Sequence, residues 1–319
     1  MSTDRLLPSS RRRGRSSRGK WVVFLLVVAA LGYLLWHRTK VPAIAAHAWV
    51  APNVSALPQL TACWLETGRF VGITASGVFV RHPRGGDFLV DSGNSSHFAS
   101  EIAPMSIEKR LLLHLAVGQV LPTLTMPAAI IAAGAKPADL KAVLITHLHL
   151  DHLGGAMDLA PQLPIWTSAE ELEFAKKARG TLDGVPAQMD VLATRGRGIA
   201  FQKRAYEVFD ESADLFGDGS VVVVKLPGHT PGSLGVFLNI SATRRLFLIG
   251  DAASELVEVE QGLTKHGISR VTDFNKTLAA TTVALLQQLH EQDPGLLVIP
   301  AHDRAAFESA FGGGPRCIH

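Results

Sequence analysis

One stretch constrains this chain more than any other: His147-Leu148-His149-Leu150-Asp151-His152 packs four potential metal ligands into a single short segment. Imidazole and carboxylate groups ligate zinc and related divalent ions. Alternation with Leu148 and Leu150 sends successive polar groups one way while the leucines anchor the opposite face. The apolar run Ala142-Val143-Leu144-Ile145 lies just before it, so the ligands stand at a strand end, where open sheets carry their functional groups. Gly154 and Gly155 follow and let the backbone turn closely beneath the site. Any one of these histidines alone would be read as a satisfied core or surface residue. The cluster is read as a metal site.

The rest of the chain alternates between strand and helix patterns. Strands are predicted over 61–70, 76–81 and 87–90, the last two joined by the turn Pro83-Arg84-Gly85-Gly86, and the third runs into Asp91-Ser92-Gly93. Helical spacing follows over 106–117 and 126–134, then a strand over 142–146, a helix over 154–159, a short strand over 165–167 and a charged surface helix over 169–178. Residues 220–226 hold four consecutive valines, as in a strand buried on both faces. A hairpin over 235–240 and 245–249, a long amphipathic helix over 274–290 and a strand over 296–300 complete the pattern. Such mixing implies sheets covered by helices. Residues 179–219, punctuated by glycines and carrying Arg195, Arg197, Lys203 and Arg204, read as an insertion that either roofs a pocket or is a loose surface excursion.

The histidine segment resembles the metallo-β-lactamase superfamily, whose signature runs His-x-His-x-Asp-His. The resemblance extends over about residues 60–305. His229, within Leu226-Pro227-Gly228-His229-Thr230-Pro231-Gly232-Ser233, matches the family's next histidine; Asp251 and His302, each after an apolar run, match its bridging aspartate and last histidine. The resemblance implies an α/β fold of four αββα layers with two divalent ions, zinc first and iron or manganese also compatible. His147, His149 and His229 would hold one ion, Asp151, His152 and His302 the other, and Asp251 both. Asp91 and Gly93, with Gly154 and Gly155, would support the site from behind.

The implied chemistry is hydrolysis by a hydroxide shared between the ions, with Asp151 as the catalytic group that steers the water and passes on its proton. The layout is most similar to the lactonase and general hydrolase branch, which implies a small lactone or ester substrate, with a small phosphodiesterase or thioesterase of the same fold as the alternative. A membrane-tethered binding protein without turnover is the competing non-enzyme reading. Tyr206, in the 179–219 segment, is a candidate to stabilise a developing oxyanion.

Charge is unevenly distributed. Residues 1–20 hold seven Arg or Lys against Asp4, a local +6 within a total of +3, so the remaining chain sums to −3. A body of that sign is not built to track nucleic acid, and no nucleic-acid partner is expected. Beside this cytoplasmic tail (1–20), the run from Trp21 to Trp36 carries no formal charge. It is read as a single-pass transmembrane anchor over 21–38, with the bilayer as a partner and the catalytic domain (60–319) on the extracytoplasmic side after a linker over 39–59. A cleaved signal before the Ala46-His47-Ala48 tripeptide is the alternative. An apolar-tailed substrate close to the membrane would suit that arrangement. Cys63 and Cys317 lack neighbouring cysteines and are expected to be unpaired, with a single bridge in an oxidising compartment as the alternative. His97 and His114 are expected to have ordinary packing or surface roles, and His266, His290 and His319 lie outside the motif.

Overall fold

Side chains that alternate between two buried faces explain the valine-rich strands. The computed structural model describes residues 21–22, 32, 37–54, 57–70, 73–116, 121–122, 124–313 and 316–319. It divides into two units, Met1–His37 and Arg38–His319, and the sheets and the metal-ligand candidates all belong to the second. Among the described residues the strands are β1 Thr61–Phe70, β2 Ile73–His82, β3 Gly86–Val90, β4 Leu121–Pro122, β5 Leu140–Leu144, β6 Ile165–Thr167, β7 Gly196–Gly198, β8 Ala213–Asp214, β9 Val221–Lys225, β10 Leu234–Ser241, β11 Arg244–Leu248, β12 Leu297–Ile299 and β13 Cys317–Ile318.

One sheet has the order β13-β1-β2-β3-β5-β6-β7, with β4 beside β1; the second has the order β12-β11-β10-β9-β8. In β9, Val221 and Val223 enter the core between the sheets, where Trp64, Phe88, Leu144, Val236 and Phe311 also pack. Val222 and Val224 face the other way, into a core shared with Val283, Leu286 and Leu289 of the helix Lys276–Gln292. β5 behaves likewise: Ala142 and Leu144 point inward, while Val143 and Ile145 meet Met126 and Ile130 of the helix Met126–Ala132. Helix, sheet, sheet, helix is the outcome, and it agrees with the αββα layers implied by the resemblance.

The spanning helix expected over 21–38 is corrected. Among the described residues no helix is long and apolar enough to cross a membrane. Sixteen uncharged residues rise only about 24 Å against a hydrocarbon core of roughly 30 Å. Of that segment only 21, 22, 32, 37 and 38 are described; the remainder of the anchor, and the basic tail, lie outside the described residues. The bilayer as partner and the single-pass, extracytoplasmic placement fall with the anchor.

One further expectation changes. Cys63 and Cys317 form a disulfide that joins β1 to β13 across a separation of 254 residues. The 179–219 segment is structured: the helix Pro186–Arg195 buries Met189 and Leu192, and β7 and β8 each extend one of the sheets. Residues 38–54 lie along the domain, with Val41 N–H donating to Gly262 O at 2.9 Å and Val50 N–H donating to Glu207 O at 2.9 Å.

Candidate metal centre

Five strands deliver the site. β3 ends before Asp91, β5 before His147, β9 before His229, β11 before Asp251 and β12 before His302. Because β3 and β5 run parallel, as do β11 and β12, their carboxyl ends open at a common edge between the sheets. The short helix Leu150–Leu153 carries Asp151 and His152.

The chain brings all seven sequence-identified ligand candidates together, in three overlapping groups: His147, His149 and His229; His147, His152 and Asp251; Asp151, His152 and His302. His149 Nδ1 lies 3.1 Å from His147 Nε2 and 2.9 Å from His229 Nε2. Asp251 Oδ2 is 3.4 Å from His229 Nε2, and its Oδ1 is 3.3 Å from both His152 Nε2 and His302 Nε2. Asp151 Oδ2 stands 3.4 Å from His302 Nε2. Donors bound tetrahedrally to a zinc-sized ion at about 2.0–2.1 Å are about 3.3 Å apart, so these spacings fit. His152 Nε2 and Asp251 Oδ1 are buried without a hydrogen-bonding protein partner, a costly state that a cation between them would relieve.

The outward-facing nitrogens are held by a second set of groups. His152 Nδ1 lies 2.9 Å from Asp91 Oδ2, and Asp91 also accepts hydrogen bonds from Thr146 N–H at 2.7 Å and Thr146 Oγ1 at 2.9 Å. Asp91 adopts a left-handed φ of 56°, a conformation that costs a non-glycine residue about 1–2 kcal/mol and that these bonds offset. His302 Nδ1 donates to Thr74 O at 2.9 Å. His229 Nδ1 lies 3.0 Å from Asp273 Oδ1, which fixes the tautomer that leaves Nε2 free. Gly93, at φ +65°, and Gly155 allow the Asp91 turn to sit against the helix start; a Cβ on Gly155 would stand 1.9 Å from Ser92 O, and one on Gly154 2.5 Å from Ser95 N.

Electrostatics follow from burial and pairing. Burial opposes charge on His302, but Asp251 and Asp151 outweigh it and raise its pKa to about 9. Burial, reinforced by the Lys265 ammonium, lowers His229 to about 4. His147 is held well below its ordinary value by burial and by the surrounding imidazoles. In Asp251 burial is overridden by His302 and His152, which keep its carboxyl well below the usual carboxylate range. Neutral imidazoles are therefore favoured at His147 and His229, and a charged pair at His302 and Asp251.

Sequence reasoning missed Glu171, Asp183, Lys265 and Asp273. Glu171 is fully buried and binds both ligand loops: it accepts from Leu148 N–H at 2.8 Å, Thr230 Oγ1 at 2.7 Å and Gly232 N–H at 3.0 Å. Its signal was available, because Glu171, Phe174, Ala175 and Ala178 share one helical face with apolar companions, so the helix is not a purely charged surface element. Asp183 Oδ1 approaches His149 Nε2 at 3.7 Å.

Other candidates lie elsewhere. The Tyr206 hydroxyl accepts from Asn239 Nδ2 at 2.9 Å in a cluster with Arg245 and Glu207, five residues along β10 from Leu234, or about 17 Å from the site's end of that strand. Arg195 is buried, donating to Leu163 O at 2.7 Å and Ala156 O at 3.0 Å, and Arg197 caps Gly196 O. His97 is exposed, 3.8 Å from Asp158.

An αββα sandwich with a candidate dinuclear His/Asp centre at the edge between its sheets defines the class. The chain belongs to the metallo-beta-lactamase superfamily, whose family model matches residues 71–302. N-acyl homoserine lactonase AttM of Azorhizobium caulinodans is 29% identical over 178 residues, covering 56% of this chain and 64% of AttM. AttM of Agrobacterium fabrum is 28% identical over 178 residues, covering 55% and 63%. The chain thus spans slightly less than two thirds of these curated relatives. In structure it resembles a variant of B. thuringiensis AiiA with N-decanoyl-L-homoserine bound at the active site, at a TM-score of 0.57 and 18% identity over 80% of this chain and 97% of AiiA. That likeness is one of fold.

Proposed function

We propose that this protein is a dinuclear metal-dependent hydrolase that cleaves a lactone or other ester bond. The observation that carries the reading is the Asp251 carboxylate: its Oδ2 faces His229 at 3.4 Å, while its Oδ1 faces His152 and His302 at 3.3 Å. One carboxylate facing two groups of imidazoles suits a bridge between two ions.

In this reading His147, His149 and His229 hold one ion, Asp151, His152 and His302 the other, and Asp251 both. Zinc suits the donor set, and iron or manganese is compatible with it. Such a pair of ions, when bound, lowers the pKa of water towards neutrality and polarises a carbonyl oxygen. Asp151 orients the attacking water, takes its proton and passes that proton to the departing oxygen; its side chain is 15% exposed, so it can meet solvent and substrate together. Asp91, Thr74 and Asp273 fix the imidazole orientations, so little reorganisation is needed during reaction.

The lactone is placed first because the AttM relatives are N-acyl homoserine lactonases. Purified, metal-loaded protein assayed on acyl-homoserine lactones, β-lactams, thioesters and bis(4-nitrophenyl) phosphate tests the choice. Turnover of the lactones, abolished by chelation, is expected. Turnover of the phosphodiester alone would overturn the lactone reading, and bound metal with no turnover on the whole panel would favour a non-catalytic metal-binding protein.

A further inference from the structure

Lys265 is 3% exposed, and the chemistry of the proposed site makes no use of it. Its ammonium lies 2.6 Å from Asp273 Oδ1, 2.5 Å from the main-chain oxygen of Asp251 and 3.2 Å from His229 Nδ1. A lysine so deeply buried is tolerated only when paired and hydrogen-bonded. Here both requirements are met by groups belonging to the metal centre. Asp273 holds the imidazole of His229, and Asp251 is the carboxylate that faces both halves of the site.

These two partners come from separate loops. His229 follows β9, Asp251 follows β11, and neither strand hydrogen-bonds the other because β10 lies between them. Main-chain contacts secure the first loop against the start of the long helix, with Asn275 N–H donating to Gly228 O at 2.9 Å and Phe274 N–H to His229 O at 3.0 Å. Through Lys265 the first loop's partner Asp273 is joined to the backbone of the second.

We propose that the buried Lys265–Asp273 pair is a brace that sets the spacing between His229 and Asp251, and so preserves the metal group formed by His147, His149 and His229. Lys265 is a positioning residue: it touches neither reacting atoms nor the metal-facing His229 Nε2. The ammonium also neutralises Asp273, so His229 is backed by an ion pair instead of an uncompensated carboxylate. The brace rests on the two-metal reading of the site.

The test is Co2+ binding to metal-stripped full chain, read by chelator competition and by the visible spectrum of the bound ion. Two variants are compared: Lys265→Met, and Lys265→Met with Asp273→Asn. The second removes both charges and guards against misfolding caused by an unpaired buried carboxylate. In both, the ion of the His147, His149 and His229 group is expected to weaken about 10- to 100-fold, the usual range for loss of a group that orients a metal ligand, and the other ion, which shares Asp251 but not His229, by clearly less. Equal weakening of both ions, together with a lower unfolding midpoint for the metal-free protein, would mark a merely structural role and overturn the proposal. So would a double variant that binds both ions as the unaltered protein does. If the unaltered protein holds no metal, the two-metal reading itself fails and the brace with it.

Discussion

Glu171 Oε1 accepts a hydrogen bond from the main-chain N–H of Leu148 at 2.8 Å, between the two histidines that open the metal motif. The other oxygen, Oε2, accepts from Thr230 Oγ1 and from Gly232 N–H, so one side chain fixes the loops of His147, His149 and His229 together. Burial pushes its carboxyl up, against the pull of these donors.

In Glu171→Gln the amide NH2 must face a donor on one side or the other. A buried donor left unpaired costs about 1–3 kcal/mol. Urea unfolding should show a loss of that size, together with weaker metal retention on dialysis against chelator.

Asp91→Asn should separate metal orientation from stability. Asparagine tolerates the left-handed φ of 56° seen at Asp91, but its amide supplies one accepting oxygen where the carboxylate supplies two. Thr146 and His152 then compete for it. Metal affinity of the half containing His152 should fall about 10- to 100-fold, as measured by chelator competition, with a smaller change in unfolding midpoint.

The metal centre was legible because its residues interrupt their own pattern. An apolar strand that ends in His147, His149, Asp151 and His152 has no packing reason to do so, and the valines of β9 announce burial on both faces by their uniformity. The groups behind the ligands were less visible. Glu171 could have been found from its helical face, but Lys265 and Asp273 are single charged residues far in sequence from what they support. The Cys63–Cys317 disulfide spans 254 residues, so no local spacing reveals it. An uncharged run flanked by basic residues and interfacial aromatics suggested a membrane helix over 21–38, but among the described residues no helix is long and apolar enough to cross a membrane.

That disulfide joins the edge strand β13 to β1, on a different part of the sheet from the metal ligands. Replacing both cysteines by alanine should cost about 2–5 kcal/mol through loss of the cross-link. Thermal unfolding should report the loss, while the metal content of the folded protein stays unchanged.

Asp218 gives a pH signature. Burial opposes its ionisation, but hydrogen bonds from Ser220 and Arg84, aided by His82, hold its pKa at about 2. A carboxylate depressed in the folded state adds stability above its unfolded value of about 3.9 and loses it as pH falls towards 2. Asp218→Asn should therefore be less stable than the unaltered protein at neutral pH. The gap in urea midpoint should narrow below pH 4 and close near pH 2.

Metal-stripped full chain, titrated with Zn2+ while hydrolysis of an N-acyl homoserine lactone and bound zinc are both recorded, bears most directly on the two-metal hydrolase reading. Turnover should be absent at the start, rise with loading and level off at about two ions per chain. Turnover that survives stripping, or a chain that binds two zinc ions and hydrolyses neither this lactone nor any other ester, would contradict it.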